Sequence, residues 1–260
     1  MRPGSGDDFG MASPFGGKLA RNATDEGNPR KRIKNSEVGK RLFQRGNDNK
    51  RRYTMSGKRC IIVGGGDFEP TLLPEKGADD LLIAADSGYA ALEKIGVKPD
   101  ICIGDFDSLG YEPASCESLR LPVEKDDTDM VAAARLGMER GYKHFVFLGV
   151  LGGKRFSHSI AAVQTLGWLL KQGARGEILD RHCRVFAVSD RMAWPASARG
   201  SVSVFALGGA AEVSIEGLKY SVCHHELDIF PLGVSNSFIG LPAYVDVHRG
   251  AVLIVEEPEV

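Results

Sequence analysis

The sequence predicts an α/β protein: a mostly parallel, Rossmann-like sheet with flanking helices, followed by an antiparallel β-sandwich. Three observations predict it. Apolar runs alternate with helical stretches from Arg59 to about Asp180, as right-handed βαβ units do. From Cys183 onward, short β-rich runs succeed one another with Gly, Pro and Asn between them and no helical period, the pattern of a sandwich or barrel. The acidic and glycine-rich segments of the first half each follow an apolar run directly. That places them beyond the carboxyl ends of the strands, where ligands bind in such sheets. The predicted division is a basic tail over 1–55, an α/β domain over 56–180 and a β domain over 181–260.

Composition bounds this reading. The chain has 260 residues, 43% of them apolar and 26% charged, enough for a sizeable core. Charge is unevenly spread: residues 1–54 hold 13 Lys and Arg against 6 Asp and Glu, and totals of 33 and 34 leave 20 and 28 for the remainder. A basic, Gly- and Asn-rich tail without an apolar period, expected to be disordered, thus precedes an acidic globule. The acidic globule argues against nucleic acid as a partner. Met55-Ser-Gly-Lys58 is an alternative start of the folded part, and the tail is given no function. There is no run of 18 apolar residues and no apolar region of the kind that begins a secretory signal, so neither a membrane span nor a signal is expected. Five scattered cysteines without a CxxC pair are expected to be reduced, small buried residues of a cytoplasmic protein.

In chain order, Arg59-Cys-Ile-Ile-Val63 is predicted as the first strand. The Gly64-Gly-Gly-Asp67 that follows suits close backbone approach to a phosphate, or equally a plain tight turn. Leu81 to Ala85 is the second strand and ends in Asp86-Ser-Gly88. A helix is expected from Tyr89 to Ile95, stopped by Gly96 and Pro99. Asp100-Ile-Cys-Ile103 is the third strand, and Leu121-Pro-Val123 is a short apolar stretch running into Glu124-Lys-Asp-Asp-Thr-Asp129. An Ala-rich helix covers Met130 to Arg140, with Thr128 or Asp127 as its cap. His144 to Leu148 is a strand ending in Gly149-Val-Leu-Gly-Gly153 and Lys154-Arg155-Phe-Ser-His158. The next helix is expected over Ser159–Lys171, because Ile160, Val163, Leu166, Leu169 and Leu170 share a face. Glu177 to Asp180 reads as a strand, and β-rich runs follow at 183–188, 201–206, 211–215, 218–222, 243–247 and 251–255.

The stretch Asp100–Ser108, DICIGDFDS, organises the functional reading. In extended backbone, side chains at i and i+2 share a face. Asp105 and Asp107 would then face one site while Phe106 turns inward. Two carboxylates held together call for a cation or a shared proton. Mg²⁺, held by one or two carboxylates plus substrate phosphates, fits such a pair. An Asx-type turn explains the same four residues without a ligand. The acidic run at 124–129 has a structural explanation too, since carboxylates favour a helix N-terminus. What joins these segments is their common place: Asp67, Asp86, Asp105, Asp107, Asp129 and the 152–158 loop all follow apolar runs, with Lys125, Lys154 and Arg155 nearby. Together they describe a metal–polyphosphate site.

The motif set ADSG (85–88), KPDICIGDFDS (98–108), KDDTD (125–129) and GG-x-RF-x-H (152–158) resembles the thiamine pyrophosphokinase family, as do Gly217-Leu-Lys-Tyr220 and Gly233-Val-Ser-Asn236 in the second domain. The resemblance implies an ATP- and Mg²⁺-binding catalytic domain and a thiamine-binding β domain. The implied reaction moves pyrophosphate from ATP to thiamine's hydroxyl, giving thiamine diphosphate and AMP. Implied Mg²⁺ ligands are Asp105, Asp107 and Asp129, with Asp86 supporting. Asp126 and Thr128 would orient the triphosphate, with Ser87, Gly88, Gly153 and His158 around it. Arg155 would offset charge on the transferring group, and Ser235 and Asn236 would hold thiamine. A homodimer is implied, with thiamine bound where domains of different subunits meet. Three positions depart from the family pattern: Ser157, Val131 and Ala162. They keep two alternatives in view, a non-catalytic thiamine or nucleotide sensor and another Mg²⁺-dependent pyrophosphotransferase.

Overall fold

Strands that are apolar at every position need cover on both faces, and the architecture supplies it. The computed structural model describes residues 57–107, 109–111, 113, 116–122, 128–228 and 233–259. The expected basic tail, and the stretch 123–127 with Asp126, lie outside the described residues. The described part falls within one compact unit, Lys50–Val260.

Fourteen strands are found among the described residues. In the first half they are β1 (Arg59–Val63), β2 (Leu81–Ala85), β3 (Ile101–Gly104), β4 (Glu117–Arg120), β5 (His144–Leu148) and β6 (Arg175–Leu179). The second half adds β7 (Arg184–Val188), β8 (Arg191–Trp194), β9 (Ser201–Ala206), β10 (Ala211–Glu216), β11 (Val222–Leu227), β12 (Asn236–Ser237), β13 (Ala243–Arg249) and β14 (Val252–Glu257). The helices are α1 (Gly88–Lys94), α2 (Asp129–Glu139) and α3 (Phe156–Lys171).

Ten strands form one sheet in the order β12-β9-β14-β7-β6-β5-β1-β2-β3-β4. From β6 to β4 every pairing is parallel, and from β6 to β12 every pairing is antiparallel. A second sheet, β11-β10-β13-β8, is antiparallel throughout. The fold class is therefore the expected one, a mixed sheet with flanking helices and an antiparallel β part. The long sheet itself continues across position 180, through the β6–β7 pairing.

Alternation along the parallel strands sorts the core. Cys60, Ile62, Ile83, Ile101, Phe145 and Phe147 face one way and meet Ala133 and Ala134 of α2 and Leu166 and Leu169 of α3. Ile61, Val63, Leu82, Ala84, Val146 and Leu148 face the other way and meet Tyr89 and Leu92 of α1. In the second half, Phe186, Val204 and Ile254 of the long sheet pack against Val213, Val245 and Trp194 of the short one, a two-layer sandwich.

Several expectations are corrected at the sheet margins. The edge strand β4 lies at Glu117–Arg120, where no strand was expected. The run at 218–222 gives way to β11, and β8 and β12 carried no signal. β4 and β11 are edge strands with mostly exposed side chains, so burial imposes no alternation on them. The expectation of five reduced cysteines is also corrected. Cys102 and Cys116 are joined as a disulfide, 14 residues apart. The pairing of Ile101 with Glu117 brings the two cysteines side by side. No helix among the described residues is long and apolar enough to cross a membrane.

Candidate active site at the carboxyl edge of the parallel sheet

The order of the parallel strands fixes where loops collect. β2, β3 and β4 lie to one side of β1, and β5 and β6 to the other. The chain thus switches direction between β1 and β5, where open α/β sheets form a crevice. The loops after these strands are laced together there. The Gly64 N–H donates to the Leu148 carbonyl at 2.8 Å, Gly66 to Gly149 at 2.6 Å, and Asp67 to Leu151 at 3.0 Å.

Glycine is required where the loops touch. A Cβ on Gly88 would fall on the Val63 carbonyl oxygen, and one on Gly65 on the Ser87 hydroxyl. The turn after β2, with Asp86, Ser87 and Gly88, is therefore pressed against the turn after β1. Asp86 has φ +49°, and its N–H donates to the Ile103 carbonyl at 2.9 Å, tying it to the end of β3.

The DFDS segment departs from its expected geometry. β3 ends at Gly104, and Phe106 has φ +61° with its ring 4% exposed. The Asp107 N–H donates to the Asp105 carboxylate at 3.1 Å. This is an Asx turn, so the extended i, i+2 argument does not apply. Phe106 does turn into the core, where Cys102, Leu92 and Val63 surround it. Asp105 is half-buried and Asp107 exposed.

Gly104 is the meeting point of three acidic segments. From the position of a Cβ on it, the Asp86 α-carbon is 3.2 Å away and an Asp129 carboxylate oxygen 3.5 Å, and Asp105 is the next residue. Asp129 reaches this point because α2 starts there. Thr128 caps the helix, its hydroxyl accepting the Val131 N–H at 3.3 Å. The departures at Val131 and Ala162 are packing positions, one against the core and the other 1% exposed within it.

The 149–158 loop completes the edge. Gly152 has φ +69°, and a Cβ there would collide with the Asp67 carboxylate. α3 begins three residues before its expected start, so Arg155 precedes it directly and Ser157 and His158 lie in its first turn. Arg155 Nη1 and His158 Nε2 are 3.3 Å apart on an exposed surface.

A cavity of about 480 Å³ opens between these loops and the β6–β7 turn, lined by Asp67, Phe68, Glu69, Leu151, Gly152, Asp180, Arg181 and His182. Arg181 donates to Glu69 at 2.6 Å, and this hydrogen bond lowers the Glu69 pKa from its ordinary 4.5. None of Phe68, Glu69, Arg181 or His182 was singled out from the sequence. The switch-point rule could have found them, but it needs the strand order.

Ser235 and Asn236 stand elsewhere. The Ser235 N–H donates to the Ser203 hydroxyl at 2.9 Å. The buried Asn236 amide accepts the Tyr220 N–H at 2.9 Å and donates to the Tyr220 carbonyl at 2.7 Å. Both residues lie at the β12 end of the long sheet. Eight strand spacings separate β12 from β3, roughly 38 Å at about 4.8 Å each.

For a metal, the donors along this edge are all carboxylates, the hard oxygen ligands that suit Mg²⁺. Among the described residues no three of His, Cys, Asp and Glu converge as a closed metal cage. Mg²⁺ bound through one or two carboxylates plus phosphate oxygens does not need one. The donor set fits that ion.

Comparison with known proteins points to one family and one fold. Residues 76–177 match the family model described as the thiamin pyrophosphokinase catalytic domain. A thiamine pyrophosphokinase of Bacillus subtilis is 24% identical over 215 residues, covering 78% of this chain and 100% of that protein. The crystal structure of thiamine pyrophosphokinase from Bacillus subtilis superposes with a TM-score of 0.69 at 21% identity, over 78% of this chain and 100% of the other. The yeast thiamin pyrophosphokinase structure gives a TM-score of 0.62 at 15% identity, over 81% and 87%. At these identities the structural likeness establishes the fold.

Proposed function

From the match of residues 76–177 to the thiamin pyrophosphokinase catalytic domain and the likeness to the Bacillus subtilis enzyme, we propose that this chain is a member of the thiamine pyrophosphokinase family and transfers pyrophosphate from ATP to thiamine's hydroxyl, giving thiamine diphosphate and AMP. The observation that carries this reading is the gathering of Asp86, Asp105 and Asp129 about Gly104, beside the interlaced glycine turns after β1 and β5. Such an edge accepts a metal-bound polyphosphate.

In this reading the thiamine oxygen bonds to the β-phosphorus as the bond to the AMP oxygen breaks, and the hydroxyl proton passes to water. Positioning and electrostatics carry most of such a transfer. Asp105, Asp107 and Asp129 would hold Mg²⁺, directly or through water, with Asp86 supporting. When bound, that ion neutralises phosphate charge. The glycine turns, with Ser87, Gly88 and Gly153, let the backbone approach the phosphates. Thr128 and Asp126 orient the triphosphate, Asp126 by its place in the sequence. Arg155, next to His158, offsets charge on the transferring group.

The eight strand spacings between β3 and the Ser235–Asn236 end, roughly 38 Å measured along the sheet, exceed the length of one thiamine. The reading therefore takes a homodimer, in which a second copy brings its Ser235 and Asn236 to the acidic edge. It also takes a cytoplasmic enzyme without nucleic-acid partners. Purified protein supplied with thiamine, ATP and Mg²⁺ is expected to form AMP and thiamine diphosphate in equal amounts. Absence of both products rejects the proposal, and AMP released without any need for thiamine favours a nucleotide hydrolase.

A further inference from the structure

We propose that Cys102 and Cys116 form a redox clasp on the acidic turn. Closed, the disulfide holds Asp105 and Asp107 in place; opened, it lets the turn loosen and weakens the magnesium–nucleotide complex. The second half of this statement rests on the function proposed above.

The clasp closes both ends of one segment. Cys102 lies in β3, and Cys116 directly precedes β4. Their α-carbons are 6.3 Å apart, within the usual range for a bridge. Between them run Gly104, the Asx turn of Asp105 and Asp107, and Phe106 with its positive φ. A left-handed conformation at a bulky residue persists only where its surroundings over-determine it. Here those surroundings are the Phe106 ring site, the Tyr111 hydroxyl on Glu93 at 2.7 Å, the Ser118 hydroxyl on the Pro113 carbonyl at 2.8 Å, and the disulfide. Cutting the bridge returns chain entropy to the segment that carries both carboxylates.

The two sulfurs differ in access. Cys102 is fully buried and Cys116 half-buried. An external thiolate therefore attacks Cys116 Sγ. The S–S bond breaks, and Cys102 leaves as a thiolate and takes a proton. A second external thiol attacks the mixed disulfide, freeing the Cys116 thiol and releasing the oxidised pair. Two electrons pass from two low-molecular-weight thiols, such as glutathione, to the bridge. Oxidation is the reverse exchange with glutathione disulfide. In the thiol-rich compartment that the proposed function takes, a disulfide is usually transient, and catalytic or redox-sensing.

The test sets the full chain in glutathione buffers spanning reduced to oxidised, with the bridge counted by alkylation mass. Hydrogen exchange is read at the amides of Asp105, Phe106, Asp107, Leu109 and Gly110. Reduction is expected to speed exchange there by about tenfold or more while the β1 and β5 amides stay protected. The KM for magnesium–ATP should rise several-fold with a smaller change in kcat. Cys116→Ser should behave as the reduced protein in every buffer. Thiols that stay unpaired in oxidising buffer, a turn whose exchange ignores the bridge, or global unfolding on reduction would each overturn the clasp. If the turn loosens on reduction but neither redox state makes thiamine diphosphate, the clasp stands and the functional reading fails.

Discussion

The carboxyl edge of the parallel sheet and the C-terminal sandwich place opposite demands on the same chain. At the edge, Asp86 and Phe106 take positive φ, as His224 and Ser235 do in the C-terminal half. An Asp129 carboxylate oxygen and the backbone of Asp86 meet at Gly104, next to Asp105. In the sandwich, Phe186, Val204, Val213, Val245 and Ile254 are wholly buried. Its charges are paired on the outer face, Arg191 with Asp246 at 3.1 Å and Arg249 with Glu226 at 2.7 Å. Strained conformations cost stability, and close-packed layers supply it. The contrast teaches that the edge can be arranged for chemistry because ordinary packing elsewhere holds it.

Four experiments would break or sharpen that contrast. The largest effect is expected in the sandwich. Phe186→Ala removes a wholly buried ring and should cost about 3–5 kcal/mol by denaturant titration. The folded fraction should keep its catalytic constants. A loss below 1 kcal/mol would show that the sandwich is not the stabilising region.

Next, Asp105→Asn should lower kcat by roughly 10²–10³-fold, as loss of one preorganised electrostatic contact does, with an unchanged melting temperature. Full activity would remove Asp105 from the metal site.

Asn236→Ala lies between the two classes. It strips partners from the N–H and C=O of Tyr220, two hydrogen bonds worth about 0.5–1.5 kcal/mol each. Under the proposed function it also raises the KM for thiamine. A change in KM without any loss of stability would contradict the clamp geometry.

The smallest effect is a pH dependence. His144 sits between Arg59 and Arg175 in the strand register. Burial, then the Arg175 charge, lowers its pKa below the ordinary 6.5. The unfolded chain therefore binds this proton first on acidification. Stability should fall as pH drops through 6.5 toward the lower folded value, and recover as pH rises. His144→Gln should flatten that part of the profile, and an unchanged slope would rule His144 out as its source.

Legibility in the sequence follows the same divide. β1, β2 and β5 were readable to within a residue because burial on both faces makes each an unbroken apolar run. α2 was readable because Thr128 supplies its cap and Gly141 its stop. β4 and β11 were not, since edge strands with exposed side chains carry no pattern. The acidic motifs were visible as residue types, but the turn at Asp105–Asp107 was not. Its geometry depends on Phe106 finding a core site made by Leu92, Cys102 and Val63.

By itself, then, the sequence determined the buried strands, the helices, the fold class and the common edge on which its acidic motifs lie. All of these follow from periodicity, capping and the rule that loops after parallel strands share a side. Only the tertiary structure decided which strands pair across position 180, that Cys102 meets Cys116, that a cavity opens at the β1–β5 switch, and that Asn236 stands far from Asp105. Each of these is set by contacts between residues distant in the chain, whose packing and hydrogen bonding leave no trace in any short stretch of residues.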